Sequence, residues 1–358
     1  MSHLPVVRLA ATLLLALVAA LACVWLHTPL PWMIGPLLAT ALASILGAPT
    51  VSATPLRNVG QATVGLALGL YFTPQVTALI AGVWWAIALA IGWALLLGWG
   101  FGRWLQQLHK TQLSHISEPV LRATTYFASS IGGASEMTLL AERAGARTDL
   151  VAAAHSVRLL IVTVAIPFAM QYSGLQALDL APPAPREVHW SGLVLLGLLA
   201  LGAALAVRAT GRPNPWFLGP LFVGIGLTTS GLDLSAVPTW ATQAAQMVIA
   251  VSLGVRFSRE FVHTAPRWLA SVAAATVLML GLCAGFGWAI AMASGLPAAT
   301  LILGTAPGGI AEMSITAKVL QLGVPVVTAF QVCRLVAVLV IVGPMYRWLY
   351  PTPKKKAV

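Results

Sequence analysis

Two acids stand inside apolar stretches, each three residues after the second member of a glycine pair. The runs are Gly132-Gly133-Ala134-Ser135-Glu136-Met137 and Gly308-Gly309-Ile310-Ala311-Glu312-Met313. Twenty-two residues beyond each acid comes an arginine in the next apolar run, Arg158 and Arg334. A charge near the centre of a bilayer costs at least about 2.5–3.5 kcal/mol on insertion scales. The four groups are therefore expected to meet as two Glu–Arg couples near mid-membrane. Such couples could do chemistry: Glu136 and Glu312 would take and release a coupling cation, while Arg158 and Arg334 hold an anionic or polar solute. They could instead only staple the molecule together. His155 and Gln331, three residues before each arginine, share its helix face. Gln61 and Gln246 are candidates for an interhelical hydrogen bond or the polar lining of a solute path.

The glycine pairs say how such groups would be positioned. A Gly-Gly pair in an apolar run breaks or sharply turns a helix. The helix that restarts after it has unpaired N–H groups and a positive dipole end that favours an anion. Pro307 strengthens the second break, and Ser129, Ser130 and Thr305 supply hydroxyls beside the turns. Non-helical backbone at this depth is tolerated only if it is buried in protein or lines a wet cavity.

The elements carrying these residues recur twice. Of the 358 residues, 59% are apolar and 8% charged, against roughly 25% charged in a soluble domain. Apolar stretches of membrane-spanning length recur throughout, so the chain is expected to be an all-α polytopic membrane protein. Pro31-Trp32-Met33-Ile34-Gly35-Pro36-Leu37 matches Pro215-Trp216-Phe217-Leu218-Gly219-Pro220-Leu221, and Gln61, Gly69 and Phe72 match Gln246, Gly254 and Phe257. With the glycine–glutamate runs and their arginines, these matches divide the chain into two homologous membrane repeats, 1–171 and 188–350. Residues 172–187 form a Pro-rich linker and 351–358 a basic tail. Because Met1–His27 has a partner in the second half, it reads as a retained span rather than a cleaved signal.

Each half holds six apolar segments: near 6–26, 30–47, 56–72, 78–101, 119–142 and 149–170, then 189–207, 215–230, 239–257, 266–293, 297–317 and 324–349. If the fifth of each half is a re-entrant or broken helix, almost every basic loop residue falls on one side, as the positive-inside bias requires; only Arg186 and Lys318 do not. Five spans per half is an odd number, so the repeats would be inverted, an architecture of secondary transporters. Twelve full spans is the alternative. Both termini are then expected in the cytoplasm, and the chain in the cytoplasmic (inner) membrane.

The net charge of +11 fits basic loops better than nucleic-acid binding. Cys23, Cys283 and Cys333 lie in apolar runs without CxxC spacing and are expected as small core residues. His109 and His115 are expected to face solvent in a polar loop, and the thirteen tryptophans to mark interfaces and helix packing. No P-loop, GxSxG, HExxH or Cys/His cluster supports an ATP-driven pump or a hydrolase.

The twice-occurring P-W-x-x-G-P, the Gln–Gly segments and the twice-occurring G-G-x-x-E-M with its downstream arginine resemble the AbrB membrane-protein family, described as carrying an AbrB duplication, over nearly the whole chain. Members carry three labels: ammonia monooxygenase, AbrB-type regulator and transporter. The resemblance therefore implies a membrane protein with one of these roles. A monooxygenase would need a metal site that two glutamates and one nearby histidine do not make. Direct DNA reading would need a soluble basic module. The expectation is a secondary transporter of a small polar or anionic solute coupled to H+ or Na+, not an enzyme, with no cofactor. The alternatives are a membrane sensor acting indirectly on gene expression, and an ammonia monooxygenase. Expected partners are the solute, the coupling ion and the lipid bilayer, with a homo-oligomer left open.

Overall fold

The computed structural model describes residues 3–113, 116–175, 187–212, 214–259 and 265–351. Most of the linker, most of the basic tail and His115 lie outside the described residues. Every element in the described part is a helix or a loop. In the first half these are α1 (His3–Trp25), α2 (Pro31–Ile45), α3 (Thr54–Gly69), α4 (Pro74–Gly82), α5 (Trp84–His109), α6 (Glu118–Ser129), α7 (Ala134–Arg143) and α8 (Thr148–Tyr172). In the second half they are α9 (Trp190–Ala209), α10 (Pro215–Thr229), α11 (Thr239–Gly254), α12 (Pro266–Ser294), α13 (Ala298–Thr305), α14 (Ile310–Val319) and α15 (Val324–Leu349).

Proline starts many of these helices, as at Pro31, Pro74, Pro215, Pro266 and Pro325. At that position its missing N–H costs nothing and its fixed φ is already helical. Six helices among the described residues are long and apolar enough to cross a membrane: α1, α5, α8, α9, α12 and α15. Tryptophans cluster at their ends. Trp25, Trp84, Trp190 and Trp348 are all well exposed, where amphipathic rings settle at a membrane interface.

The second and third segments of each half are shorter than expected, at 15 or 16 residues. At 1.5 Å per residue they reach about 22–24 Å, less than a hydrocarbon core of about 30 Å. Glycines and prolines punctuate these runs and end the helices early. After α3 the chain turns by 88° into α4. The fifth segment of each half is broken, into α6 and α7 and into α13 and α14.

The helices sort into two bodies. One holds α1–α3 with α9–α11, where α1 packs on α2, α9 on α10, α2 on α11 and α3 on α10. The other holds α5–α8 with α12–α15, where α5 packs on α6, α12 on α13, α5 on α15 and α8 on α12. Each body draws on both halves of the chain, and equivalent helices make equivalent pairs. In the first body α3 and α10 run side by side in the same direction. Gly65 backs onto the carbonyl of Phe217, and one turn on Gly69 backs onto that of Leu221. Gly254 of α11 meets Leu37 and Thr40 of α2 in the same manner. The absent side chains allow backbone to touch backbone, which is how apolar helices associate in lipid.

Two local readings are corrected. His109 does not face solvent. Helix α5 runs past its apolar stretch, and the ring is buried against Trp268, with Nε2 2.7 Å from Ser271 Oγ. Of the cysteines, Cys283 is buried, Cys23 is half-buried and Cys333 lies on the exposed face of α15.

A Cβ at Gly65 would overlap the Phe217 carbonyl, whereas one at Gly92 of α5 meets nothing within 4 Å. Gly65→Leu is therefore expected to destabilise the protein by about 1–3 kcal/mol or more through overpacking, and Gly92→Leu to leave it unchanged. Thermal unfolding of the purified protein in detergent checks both.

Candidate functional site

The two broken segments are built alike. Helix α6 ends at Ser129 and α7 begins at Ala134; α13 ends at Thr305 and α14 begins at Ile310. The N-cap glycines Gly133 (φ −66°, ψ 139°) and Gly309 (φ −76°, ψ 155°) are extended, a conformation open to any residue. The breaks therefore do not need glycine for its left-handed freedom. They need it for room. The side chain of Met137 lies over Gly132 and that of Met313 over Gly308, where a Cβ would come within 2.8 Å of a methionine carbon. The carboxylate of Glu136 folds back over Gly133 and that of Glu312 over Gly309, in the space a Cβ would fill. Each acid is the third residue of its helix and reaches toward the N-cap, as the acid of a capping box does. A negative charge is favoured there by the N–H groups without partners and by the helix dipole.

The other side of each break is closed by an arginine. Arg158 donates from Nη1 to the Ser129 carbonyl (3.3 Å) and from Nη2 to that of Ser130 (2.9 Å). Arg334 donates from Nη1 to the Ala306 carbonyl (2.5 Å) and from Nη2 to that of Gly308 (2.8 Å). These carbonyls lie where α6 and α13 have just ended, and a cation is favoured at a helix C-terminus. His155 and Gln331 hold the arginines from behind. His155 Nδ1 accepts from Arg158 and its Nε2 faces the Phe127 carbonyl at 3.0 Å, so the proton belongs on Nε2. Gln331 Oε1 accepts from Arg334, and its Nε2 donates to the carbonyls of Leu303, Gly304 and Ala306. The neighbouring hydroxyls tie each break to the long helix beside it. Ser129 Oγ donates to the Gly98 carbonyl at 2.7 Å, and Thr305 Oγ1 to that of Cys283 at 3.1 Å.

The expected Glu–Arg couples do not form. The ion pairs among the described residues are Arg122–Glu118 and Arg147–Asp149. Each arginine instead serves the carbonyl end of a break and each glutamate the N–H end. The unsatisfied backbone itself supplies the opposite partial charges that the sequence suggested would come from side chains.

Both breaks open on one cavity of about 100 Å³ between the two bodies. Glu136, Glu312, Arg158, Arg334, Gly132, Gly133, Gly308, Gly309 and Gln61 all line it. His155 and Gln331 sit behind the arginines, and Gln246 is buried outside the lining. The halves differ here. Glu312 is 7% exposed and most of α14 is buried, packed on α15, α3 and α8. Glu136 is half-buried, and α7 buries only Met137 and Ala141. The cavity also holds Arg57 and Arg256, which in sequence count only among the basic loop residues, together with Asn214 and Ser252. One signal pointed to Arg57, which precedes Gln61 by four residues and so shares its helix face.

Removing Arg334 leaves the Gly308 carbonyl without a partner, at about 1–3 kcal/mol, and takes one of several donors from that of Ala306. Arg334→Leu is expected to lower the thermal unfolding temperature clearly. Arg334→Lys should recover only part of it, because a point charge lacks the fork that spans both carbonyls. Wild-type stability in Arg334→Leu would show that these bonds do not hold the break.

Comparison with known proteins follows the same residues. The family profile described as "Transition state regulatory protein AbrB" matches residues 32–350. The chain is 27% identical to the "Uncharacterized protein YhjN" of Bacillus subtilis (strain 168), covering 89% of this chain and 87% of that protein. It is 26% identical to the "Putative regulator AbrB" of Escherichia coli (strain K12), covering 99% of this chain and all of that protein. The family match takes in both broken helices, both arginines and the glycine contacts between α3 and α10, and the chain belongs to the AbrB family.

Proposed function

We propose that this all-helical membrane protein is a secondary transporter that moves a small polar or anionic solute, driven by a proton or sodium gradient. One observation carries the reading: two broken helices, each with a carboxylate on one side of the break and a guanidinium on the other, face a single cavity between two helix bodies. Polar backbone ends at this depth favour a role that uses them. Glu136 and Glu312 would take and release the coupling cation. Arg158 and Arg334 would keep the breaks open, with their remaining donor capacity toward the cavity. The parallel course of α3 and α10 supports inverted repeats. If α2 and α3 cross in opposite directions, then α10, the counterpart of α2, runs opposite to it. Solute release would follow from sliding of the two bodies past each other, with the exposed α7 and the enclosed α14 exchanging surroundings.

A second reading takes its support from the name of the E. coli relative. In it the same cavity senses a metabolite, and gene expression responds indirectly.

Flux separates the two readings. Protein reconstituted in liposomes should move solute under an imposed H+ or Na+ gradient, and Glu312→Gln and Glu136→Gln should each reduce that movement by at least about tenfold. Gly309→Ala should do nearly the same and also lower the unfolding temperature, since the N–H end of α14 loses its carboxylate. Its φ suits alanine, so the damage would come from displacing the Glu312 carboxylate. Ligand binding with no flux under any gradient would favour the sensor.

A further inference from the structure

Four guanidinium groups and two carboxylates line the cavity between the two bodies; among the described residues no other charged side chain does. The four cations are not in the same situation. Arg158 and Arg334 donate to carbonyls at the ends of α6 and α13, whose helix ends carry about half a negative charge each. Arg57 and Arg256 have no such match. Neither guanidinium makes a hydrogen bond or ion pair among the described residues. They lie close enough to repel one another, and both attract Glu312. The carboxylates, for their part, already answer the N–H ends of α7 and α14. Two like charges thus line one confined space without a side-chain partner.

We propose that Arg57 and Arg256 form the binding site for a small dianion, taken up between α3, α11 and the two breaks. The inference rests on the transport reading for its purpose, but binding itself does not depend on flux. A dianion would balance the excess of two positive charges that remains with both glutamates ionised. Its oxygens can be met by the forked donors of two guanidiniums, which suit carboxylate, phosphate and sulfate alike. Gln61 lies four residues after Arg57 on the same helix face, so its amide can donate beside the guanidinium. Arg57 stands on α3 and Arg256 in the turn just after α11, both in one body, whereas the breaks belong to the other, so a bound anion would bridge the bodies.

The test is thermal unfolding of the purified full-length protein with succinate and with sulfate, each against chloride at equal ionic strength. At least one dianion at about 10 mM should raise the unfolding temperature by on the order of 3 °C. Arg57→Gln and Arg256→Gln should each remove the shift, while Arg103→Gln, outside the cavity, should keep it. If neither dianion shifts the wild type, or if the shift survives in both Arg57→Gln and Arg256→Gln, the site is overturned. Flux measured on the same preparations separates this result from the transport reading. An anion shift without flux would keep the site and remove the transporter, whereas flux of a cationic or neutral solute with no anion shift would do the reverse.

Discussion

A helix cannot stop inside an apolar medium without leaving carbonyl groups at one end and N–H groups at the next. Each unsatisfied group there costs several kcal/mol. This protein breaks two helices in its interior, and most of what surrounds them answers that cost. Arg158 and Arg334 take the carbonyl ends, Glu136 and Glu312 the N–H ends. His155 and Gln331 orient the arginines, and Ser129 and Thr305 tie each break to α5 and α12. The polar residues at the breaks are first of all backbone partners, and Glu136, Glu312, Arg158 and Arg334 line the cavity while so committed.

That double duty explains how a histidine and a glutamine can hold equivalent places. Each presents one acceptor to an arginine and one donor to carbonyls of the preceding helix. In a neutral imidazole with its proton on Nε2, the geometry is that of a carboxamide. The difference between the halves lies instead in their packing. Glu312 and α14 are enclosed, while Glu136 and α7 stand near the surface, as if one of two matched arms were engaged and the other released.

Much of the architecture was legible in the sequence, because apolar runs and glycine pairs are local signals. The twelve segments fall close to the observed helices, and both breaks lie at the Gly-Gly pairs. The pairing of the charges was not legible. Sequence counts side chains, and the partners turned out to be main-chain groups exposed only once the helices are broken. Arg57 and Arg256 were read as loop charge because nothing local shows that α3 and α11 bring them to the same cavity as the distant breaks. His109 was misplaced for a related reason: α5 continues beyond its apolar stretch, and burial there depends on Trp268 of α12. The sorting of helices into two mixed bodies crosses the boundary between the halves, so no reading of each half alone could reach it.

The second glycine of each pair leaves its space to a side chain three residues ahead. The two positions are thus one volume shared between two letters of the sequence. A chain whose acid is replaced by a short residue no longer needs the gap, and a chain that fills the gap has no place to fold the acid back. Among kindred sequences the two should drift in company, which would let a reader of bare sequences tell a working hinge from a relic.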